Sequence, residues 1–239
     1  MIVIGRNPVK EILASGKDVA KIYLRFGAHG ESFSEIYRLA GERKIPVVTL
    51  PKVKFDRLGG MEHSQGVAAL VEEIVLLELE DLLAATREQD APFFVALDGV
   101  TDPHNLGAII RSAECAGVHG IILPKHDSAM IGETVMKTSA GAATHMPLAR
   151  VVNLQHALET MKAQGIWIAG LDSEGDTDLL SFDGLIPVCV VVGSERGMRP
   201  TVRKQCDMIV RIPMWGRIES LNASVAAALM LYEVRRKRL

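Results

Sequence analysis

Three separated segments of this chain share one design: an apolar run, then a loop of small and polar residues, then a helical pattern. They are LDGVTDPHNLGAIIR at residues 97–111, VVVGSERGMRP at 190–200 and RIPMWGRIESLNASVAAALM at 211–230. Continuous apolar strands are typical of a parallel sheet that is covered on both faces. Because ligands bind beyond the carboxyl ends of such strands, we expect the polar residues of the three loops to meet at one site.

The stretch from residue 92 to residue 239 alternates between apolar runs and helical patterns. Its predicted strands include FFVAL, HGIILP, IWIAGL, PVCVVVG and MIVRIP. Its predicted helices cover residues 105–116, about 133–139, 153–164, about 200–205 and the chain from about Ser220 onward. Asn105 is expected to cap the first of these helices. The alternation predicts an α/β domain built on a parallel sheet.

The first 72 residues also alternate between helical and strand patterns. A helix is predicted at PVKEILAS with Asn7 as its cap, and further elements follow at KIYLRF, SFSEIYRLAGERK, IPVVTL, PKVKFDRLG and QGVAALVE. The stretch that comes next, EEIVLLELEDLLAATREQDAP, is acidic. We therefore predict a small α/β domain at 1–72, an acidic and partly helical linker at 73–91, and a second domain at 92–239.

Charge is distributed unevenly along the chain. The total is −2 with a pI of about 6.4, which argues against a nucleic-acid-binding protein. Residues 1–71, however, carry 11 Lys and Arg against 7 Asp and Glu, while residues 72–91 carry 1 against 7. The negative charge of the linker thus offsets, in the total, the positive charge of the N-terminal domain. Its candidate phosphate-binding residues are Arg6, Lys10, Lys21, Arg25, Lys52, Lys54 and Arg57.

The sequence shows no pattern of a membrane helix, a disulfide framework or a metal site. No apolar run approaches the roughly 20 residues of a membrane helix, and the start lacks the apolar block of a signal peptide. Cys115, Cys189 and Cys206 are odd in number and far apart, which suits neither a disulfide framework nor a metal site. We expect a protein of the reducing cytoplasm with no bound metal and no membrane partner.

The loops of this sequence do not match the common nucleotide-binding and hydrolase motifs. Neither DGVTDPHNLG nor GSERGMRP matches the dinucleotide fingerprint, no P-loop occurs, and Ser220 lacks a nucleophile elbow. The loop residues also have simple structural explanations: Asn105, Ser220 and Asn222 could serve only as helix caps, and Glu195 could be a solvated acid. Arg111 is harder to explain in this way, because its neighbours on the helix face are the small residues Ala108, Ser112 and Cys115.

The three segments, in this order, resemble the signature motifs of the SPOUT-class (TrmH-type) RNA ribose 2'-O-methyltransferases. The resemblance covers about 92–239. The N-terminal unit, from GRNPVKEIL to HSQGVAALV, resembles the small ribosomal-protein-like RNA-binding domain of the bacterial 23S rRNA guanosine 2'-O-methyltransferases. The resemblance implies a deep trefoil knot in the C-terminal domain, S-adenosylmethionine as the cofactor, and a homodimer with the C-terminal helix in the interface.

The resemblance also assigns roles to particular residues. The family's active-site positions fall on Asn105, Arg111, Glu195, Ser220 and Asn222, and its cofactor-binding positions fall on Gly193, Ile212 and Leu221. We add Met214 to the cofactor set, and also Ser139 and Gly141 from the segment TSAGAATHMPL. The second motif, GSERG, is one residue shorter than the family pattern, so the loop after Glu195 must turn differently.

The predicted function is methyl transfer from S-adenosylmethionine to the ribose 2'-hydroxyl of a guanosine in 23S rRNA, with no DNA as partner. Arg111 would clamp a phosphate and stabilise the developing oxyanion, Asn105 would order its loop, and Ser220 and Asn222 would position ribose or cofactor. Three alternatives stay open: a tRNA ribose methyltransferase, a non-catalytic RNA-binding assembly factor, and a small-molecule nucleotide enzyme. The short second motif supports the assembly factor, and the missing phosphate loops weaken the nucleotide enzyme.

Overall fold

A computed structural model of the protein describes residues 2–15, 19–58, 64–71 and 74–239. The chain divides into two compact units. The first contains Met1–Ile74 together with Ile131–His145, and the second contains Val75–Met130 and Met146–Leu239. The segment 131–145 thus groups with the N-terminal residues although it lies far along the chain. The domain limits at residues 72 and 92 stay predictions, and residues 72 and 73 lie outside the described residues.

The elements are numbered in chain order. The strands are β1 Ile2–Ile4, β2 Val19–Arg25, β3 Val47–Leu50, β4 Val67–Val71, β5 Phe93–Asp98, β6 Gly120–Pro124, β7 Leu148–Val151, β8 Trp167–Leu171, β9 Thr177–Asp178, β10 Val188–Gly193 and β11 Met208–Arg211. The helices are α1 Arg6–Ala14, α2 Glu31–Glu42, α3 Lys52–Asp56, α4 Leu79–Ala84, α5 Pro103–Cys115, α6 Glu133–Thr138, α7 Leu154–Ala163, α8 Pro200–Arg203 and α9 Ala223–Lys237. Among the described residues, no helix combines the length and the apolar character needed to cross a membrane.

The first unit contains a four-stranded sheet in the order β1-β4-β2-β3. Strand β4 is antiparallel to both of its neighbours, and β3 is parallel to β2. The carboxyl ends of β1, β2 and β3 therefore meet the beginning of β4 at one edge of the sheet. Helix α1 begins directly after β1, because Gly5 adopts φ +101°, a backbone conformation that favours glycine. Asn7 lies inside the first turn, so its prediction as the cap is wrong.

The segment 131–145 packs into this first unit through a short helix and a tight turn. Val135 and Met136 of α6 are fully buried. Gly141 adopts φ +92°, and a Cβ at this position would lie 2.7 Å from the Cβ of Glu11 on α1. The imidazole Nε2 of His145 lies 3.1 Å from a carboxylate oxygen of Glu11. Glycine at 141 is therefore required by the close approach to α1.

The second unit is built on a parallel seven-stranded sheet in the order β7-β6-β5-β10-β8-β11-β9. Every residue of β5 and β10 is buried, which confirms the prediction of a sheet covered on both faces. Helix α4 comes from the predicted acidic linker. Its leucines Leu79, Leu82 and Leu83 pack into the core of this unit, while Glu80 and Asp81 face solvent.

Two helices that carry predicted site residues begin at positions that differ from the prediction. Helix α5 begins at Pro103, and its cap is Asp102, whose carboxylate accepts a hydrogen bond from the N–H of His104 at 2.9 Å. Asn105 is therefore not the cap, because Asp followed by Pro starts the helix earlier. Helix α9 is capped by Asn222, which accepts from the N–H of Ser224 at 2.9 Å.

Candidate active site

A cavity of about 410 Å³ lies at the carboxyl ends of β8, β10 and β11 and at the beginning of α9. The predicted cofactor-binding residues Gly193, Ile212, Met214 and Leu221 all line it. Its volume falls within the roughly 300–1,000 Å³ that small-molecule sites occupy. Two of the three sequence segments, the ones after β10 and β11, therefore meet at one cavity.

The third segment reaches this cavity through hydrogen bonds between side chains. The amide Nδ2 of Asn105 donates to Oε1 of Glu195 at 2.7 Å, and Glu195 lines the cavity. The Nδ2 of Asn222 donates to Oδ1 of Asn105 at 3.0 Å. The buried amide of Asn105 thus joins the loops that follow β10 and β11, which carry Glu195 and Asn222. A hydrogen bond to a carboxylate is stronger than one between neutral groups.

The remaining predicted catalytic residues differ in their placement. Ser220 lines the cavity and is exposed, three residues before α9 begins. Arg111 is exposed on α5 and does not line the cavity. It follows Asn105 by six residues, which corresponds to about 9 Å along the helix axis. Within the described part of the chain, its guanidinium makes no hydrogen bond or ion pair.

Ser139 and Gly141, predicted as a wall of the cofactor pocket, belong to the first unit and are not among the residues that line this cavity. Ser139 is buried, and its hydroxyl donates to the carbonyl of Met136 at 3.2 Å. Local packing therefore accounts for both residues in the first unit. Their role at the cofactor stays a prediction.

The shortened second motif folds into a tight turn after β10. The N–H of Gly197 donates to the carbonyl of Ser194 at 2.8 Å, and Gly197 adopts φ +79°. This turn comes back onto Gly193, where a Cβ would lie 2.4 Å from the carbonyl carbon of Gly197. The missing residue is thus accommodated by a turn that leaves no space for a side chain at 193.

Acidic residues of the cavity were missed by sequence reasoning. Asp172, Glu174 and Glu219 line it together with Glu195, against one basic residue, Arg196. Asp172 and Glu174 follow β8, so the rule that ligands bind beyond strand ends could have found them. Asp172 is paired with Arg203, with 2.6 Å between the carboxylate and the guanidinium. The carboxylates of Glu174 and Glu219, together with the apolar walls, suit a ligand that is partly apolar and carries positive charge.

Comparison with known proteins identifies two families along the chain. Residues 92–232 match the model of the SpoU rRNA Methylase family, and residues 2–74 match the model for RNA 2'-O ribose methyltransferase substrate binding. A Bacillus subtilis protein assigned to the TrmH family of tRNA/rRNA methyltransferases is 42% identical over 238 residues, covering 99% of this chain and 95% of that protein. A Staphylococcus saprophyticus protein with the same assignment is 43% identical, covering 100% and 96%.

Comparison with solved structures also finds SpoU and TrmH-type methyltransferases. The SpoU methyltransferase AviRb from Streptomyces viridochromogenes, in complex with the cofactor AdoMet, is 28% identical, covers 100% of this chain and 90% of that chain, and superposes with a TM-score of 0.83. A TrmH/SpoU tRNA modifying enzyme from A. aeolicus is 29% identical, covers 67% and 84%, and has a TM-score of 0.56. The chain therefore belongs to the SpoU rRNA methylase family of TrmH-type RNA 2'-O-ribose methyltransferases.

Proposed function

We propose that this protein transfers a methyl group from S-adenosylmethionine to the ribose 2'-hydroxyl of a guanosine in 23S rRNA, in the cytoplasm. Membership of the family supports RNA 2'-O-methylation, and the related AviRb structure contains AdoMet. The match of residues 2–74 to a substrate-binding model supports recognition of RNA by the first unit. The small RNA-binding domain favours rRNA, and tRNA is the rival substrate because relatives carry both names.

The observation that carries this proposal is the joint lining of one cavity by Gly193, Ile212 and Leu221. The residues present fit the cofactor: apolar side chains offer contact area, and the carboxylates of Glu174 and Glu219 favour a cationic ligand. When bound, S-adenosylmethionine supplies an electrophilic methyl group on a positively charged sulfur.

Asn105, Asn222 and Glu195 act by holding the site in one geometry. Each amide hydrogen bond joins residues far apart in sequence, so the loops cannot shift independently. Positioning of reactants can supply roughly 7–11 kcal/mol of a reaction barrier in favourable cases. We assign Ser220, which is exposed and lines the cavity, to contact with ribose or cofactor.

Arg111 acts on the RNA backbone. Its exposed guanidinium makes no ion pair among the described residues and can form two parallel hydrogen bonds to a phosphate. An arginine side chain keeps its proton in proteins. We therefore assign Arg111 to holding the phosphate beside the target ribose and to stabilising negative charge, and the 2'-hydroxyl proton passes to phosphate or water.

The predicted phosphate-binding residues of the first unit fall into two groups. Arg6 follows β1, Arg25 is the last residue of β2 and Lys52 follows β3, so these three residues lie at one edge of the sheet. Lys54 lies on α3, and Arg57 comes just after it. Lys10 is paired with Glu35, 2.7 Å from Nζ to the carboxylate, and Lys21 lies near the opposite end of β2. We assign RNA binding to the first group, which consists of Arg6, Arg25, Lys52, Lys54 and Arg57.

A second copy of this chain is the proposed partner of α9. Val225, Leu229 and Tyr232 are 46%, 44% and 53% exposed at spacings that place them on one helix face. Trp215 and Ile218, in the loop before α9, are also exposed. These apolar residues favour a homodimer.

We also propose the trefoil knot of the SPOUT fold for the second unit. The resemblance implies this knot, and the anchoring of the chain end is consistent with it. The guanidinium of Arg238 donates to the carbonyls of Ala91, Gly184 and Ile186 at 2.6–2.7 Å.

Labelled S-adenosylmethionine tests the proposal directly. The protein is incubated with separate pools of unmodified 23S rRNA and tRNA, and the RNA is then hydrolysed with alkali. A methylated 2'-oxygen blocks cleavage, so we expect a labelled alkali-resistant dinucleotide from 23S rRNA that begins with guanosine. Label in tRNA alone would establish the rival substrate. Cofactor binding without transfer to either RNA, or no cofactor binding at all, would contradict the proposed reaction.

Deletion of the first 72 residues is a poor test of RNA binding. The structure packs residues 131–145 into the same unit as residues 2–74. The deletion would therefore expose Val135 and Met136 as well as remove the basic residues. Single replacements of Arg6, Arg25 and Lys52 by Gln are the better test, with Lys10→Gln as the matched control. We expect weaker RNA binding from the first three and unchanged cofactor binding from all.

A further inference from the structure

Phe26 is the most exposed of the Phe, Tyr and Trp residues that the structure describes in the first unit, with a fractional exposure of 78%. It lies in a turn after β2 that is closed by a hydrogen bond from the N–H of Ala28 to the carbonyl of Arg25 at 3.0 Å. Gly27, at the third position of this turn, adopts φ +80°, the value that a type II turn requires. The backbone therefore fixes Phe26 at the tip of a defined turn.

The turn is also fixed to the neighbouring strand. The N–H of Phe26 donates to the carbonyl of Leu50, the last residue of β3, at 2.7 Å. The Nδ1 atom of the His29 ring lies 2.6 Å from the carbonyl oxygen of Gly27. The main chain that carries the aromatic ring is thus fixed at the sheet edge by hydrogen bonds.

Three cationic residues also lie at this edge. Arg25 precedes Phe26, Lys52 follows Leu50 by two residues, and Arg6 follows β1. The Nε of Arg6 donates to the side-chain oxygen of Gln65 at 3.0 Å, a neutral partner that leaves its charge uncompensated. The edge therefore combines the exposed ring of Phe26 with the positive charges of Arg6, Arg25 and Lys52.

We infer that Phe26 is a stacking platform for an unpaired base of the RNA substrate. A single exposed apolar side chain is common at protein surfaces, and cations alone bind phosphates without selecting single strands. An exposed aromatic ring between cations matches both parts of a nucleotide, its base and its phosphate. The inference rests on the proposed function and adds that the first unit selects RNA with unpaired bases, whose faces are open to stacking.

A protein partner is the weaker occupant of this edge. Apart from the ring, the turn offers only Gly27, Ala28 and His29, whereas a stable protein interface buries more than about 1,000 Å². The positive charges require an anionic partner, and an RNA backbone supplies regularly spaced negative charges.

The test measures the affinity of the full chain for a labelled single-stranded oligoadenylate and for its duplex with oligouridylate. Loss of one base stack corresponds to about 5- to 150-fold in affinity. We expect a loss of that size for the single strand with Phe26→Leu, little change for the duplex, and affinity close to that of the unmodified protein with Phe26→Tyr. Tyr37→Leu, which removes a half-exposed ring on α2, is the matched control and should change neither affinity.

The outcomes separate this inference from the proposed function. Unchanged single-strand affinity in Phe26→Leu, in a protein that still binds and methylates RNA, would overturn the stacking platform alone. An equal loss for single strand and duplex would also overturn it, because a general effect on the edge is then responsible. If the unmodified protein binds neither oligonucleotide but still methylates 23S rRNA, the stacking platform alone is overturned. If it transfers no label to 23S rRNA or tRNA, the proposed function fails.

Discussion

The carboxylate of Asp98, at the end of β5, is held by Arg199, which follows the turn of the second motif. The N–H of Arg199 donates to Oδ2 at 2.7 Å, and its Nε and Nη2 both lie 2.7 Å from Oδ1. The Asp98 side chain is fully buried, while that of Arg199 is 49% exposed. The N–H of Ser194 also donates to the carbonyl of Asp98 at 3.0 Å. The first and second motifs are thus joined at both ends of the turn that carries Glu195.

Asp98→Asn should loosen this connection. The amide keeps the shape of the side chain but removes a charge and presents an N–H group toward a donor. We expect a loss of about 1–3 kcal/mol in the free energy of unfolding, measured by urea denaturation, together with weaker binding of S-adenosylmethionine. Asp127→Asn is the matched control, because this exposed carboxylate lies 3.9 Å from the same guanidinium and should contribute less than about 0.5 kcal/mol. Equal effects of the two changes would contradict the proposed connection.

The hydrogen bond from Asn105 to Glu195 can be reversed in polarity. Asn105→Asp places two carboxylates about 2.7 Å apart and should cost about 1–3 kcal/mol of stability and lower the methylation rate. Adding Glu195→Gln provides a donor to the new carboxylate, so the double variant should regain most of the stability. Thermal unfolding of the two single variants and the double variant measures the coupling. Purely additive effects would show that the two side chains do not interact.

Much of this arrangement was predicted from the sequence, for a physical reason. Strands β5 and β10 are buried on both faces, so they appear as continuous apolar runs. Their position in a parallel sheet then brings the loops after them together, and Gly193 and Leu221 do line one cavity. Helix starts were less accurate, because Asn105 and Asp102 are both good caps and only the folded chain chooses between them.

Other features leave no periodic signal in a sequence. Strand β1 has three residues and β9 has two, too few to show a pattern. The Asp98–Arg199 pair joins residues about a hundred positions apart, and local reasoning cannot detect such a contact. The packing of residues 131–145 into the first unit is of the same kind. The exposure of Phe26 depends on a turn whose tip is visible only in the structure.

Arg111→Lys distinguishes the geometry of a phosphate clamp from charge alone. Lysine keeps the charge but cannot form two parallel hydrogen bonds in one plane. We expect a fall in the methylation rate of about tenfold or more, corresponding to at least about 1.4 kcal/mol, with unchanged binding of S-adenosylmethionine. Lys125→Arg, at another exposed cation of the second unit, is the control and should have no effect. Near-full turnover in Arg111→Lys would show that a bidentate clamp is not needed.

Leu229→Glu should produce a monomer if α9 forms the dimer interface. A carboxylate in the middle of an apolar interface is costly to bury without a partner. Light scattering after size-exclusion chromatography measures the mass of the variant and of the unmodified protein at equal concentration. Val152→Glu changes a more exposed apolar residue of the same unit and should leave the mass unchanged. A monomeric unmodified protein would contradict the proposed homodimer.

His119 should make folding sensitive to acid. Its Nδ1 accepts a hydrogen bond from the N–H of Phe93 at 2.9 Å. Partial burial, and then the positive charge of Arg238, lower the pKa of His119 below its usual value of 6.5. The unfolded chain therefore binds this proton more readily than the folded chain, so stability is present above about pH 6.5 and falls as the pH decreases through the lowered pKa. His119→Asn keeps an acceptor for the N–H of Phe93 and removes the group that binds the proton. Urea denaturation at about pH 8 and about pH 5 should show a smaller loss of stability in this variant than in the unmodified protein. His126→Asn, which alters an exposed histidine, should retain the full loss, and equal losses in all three proteins would contradict the role of His119.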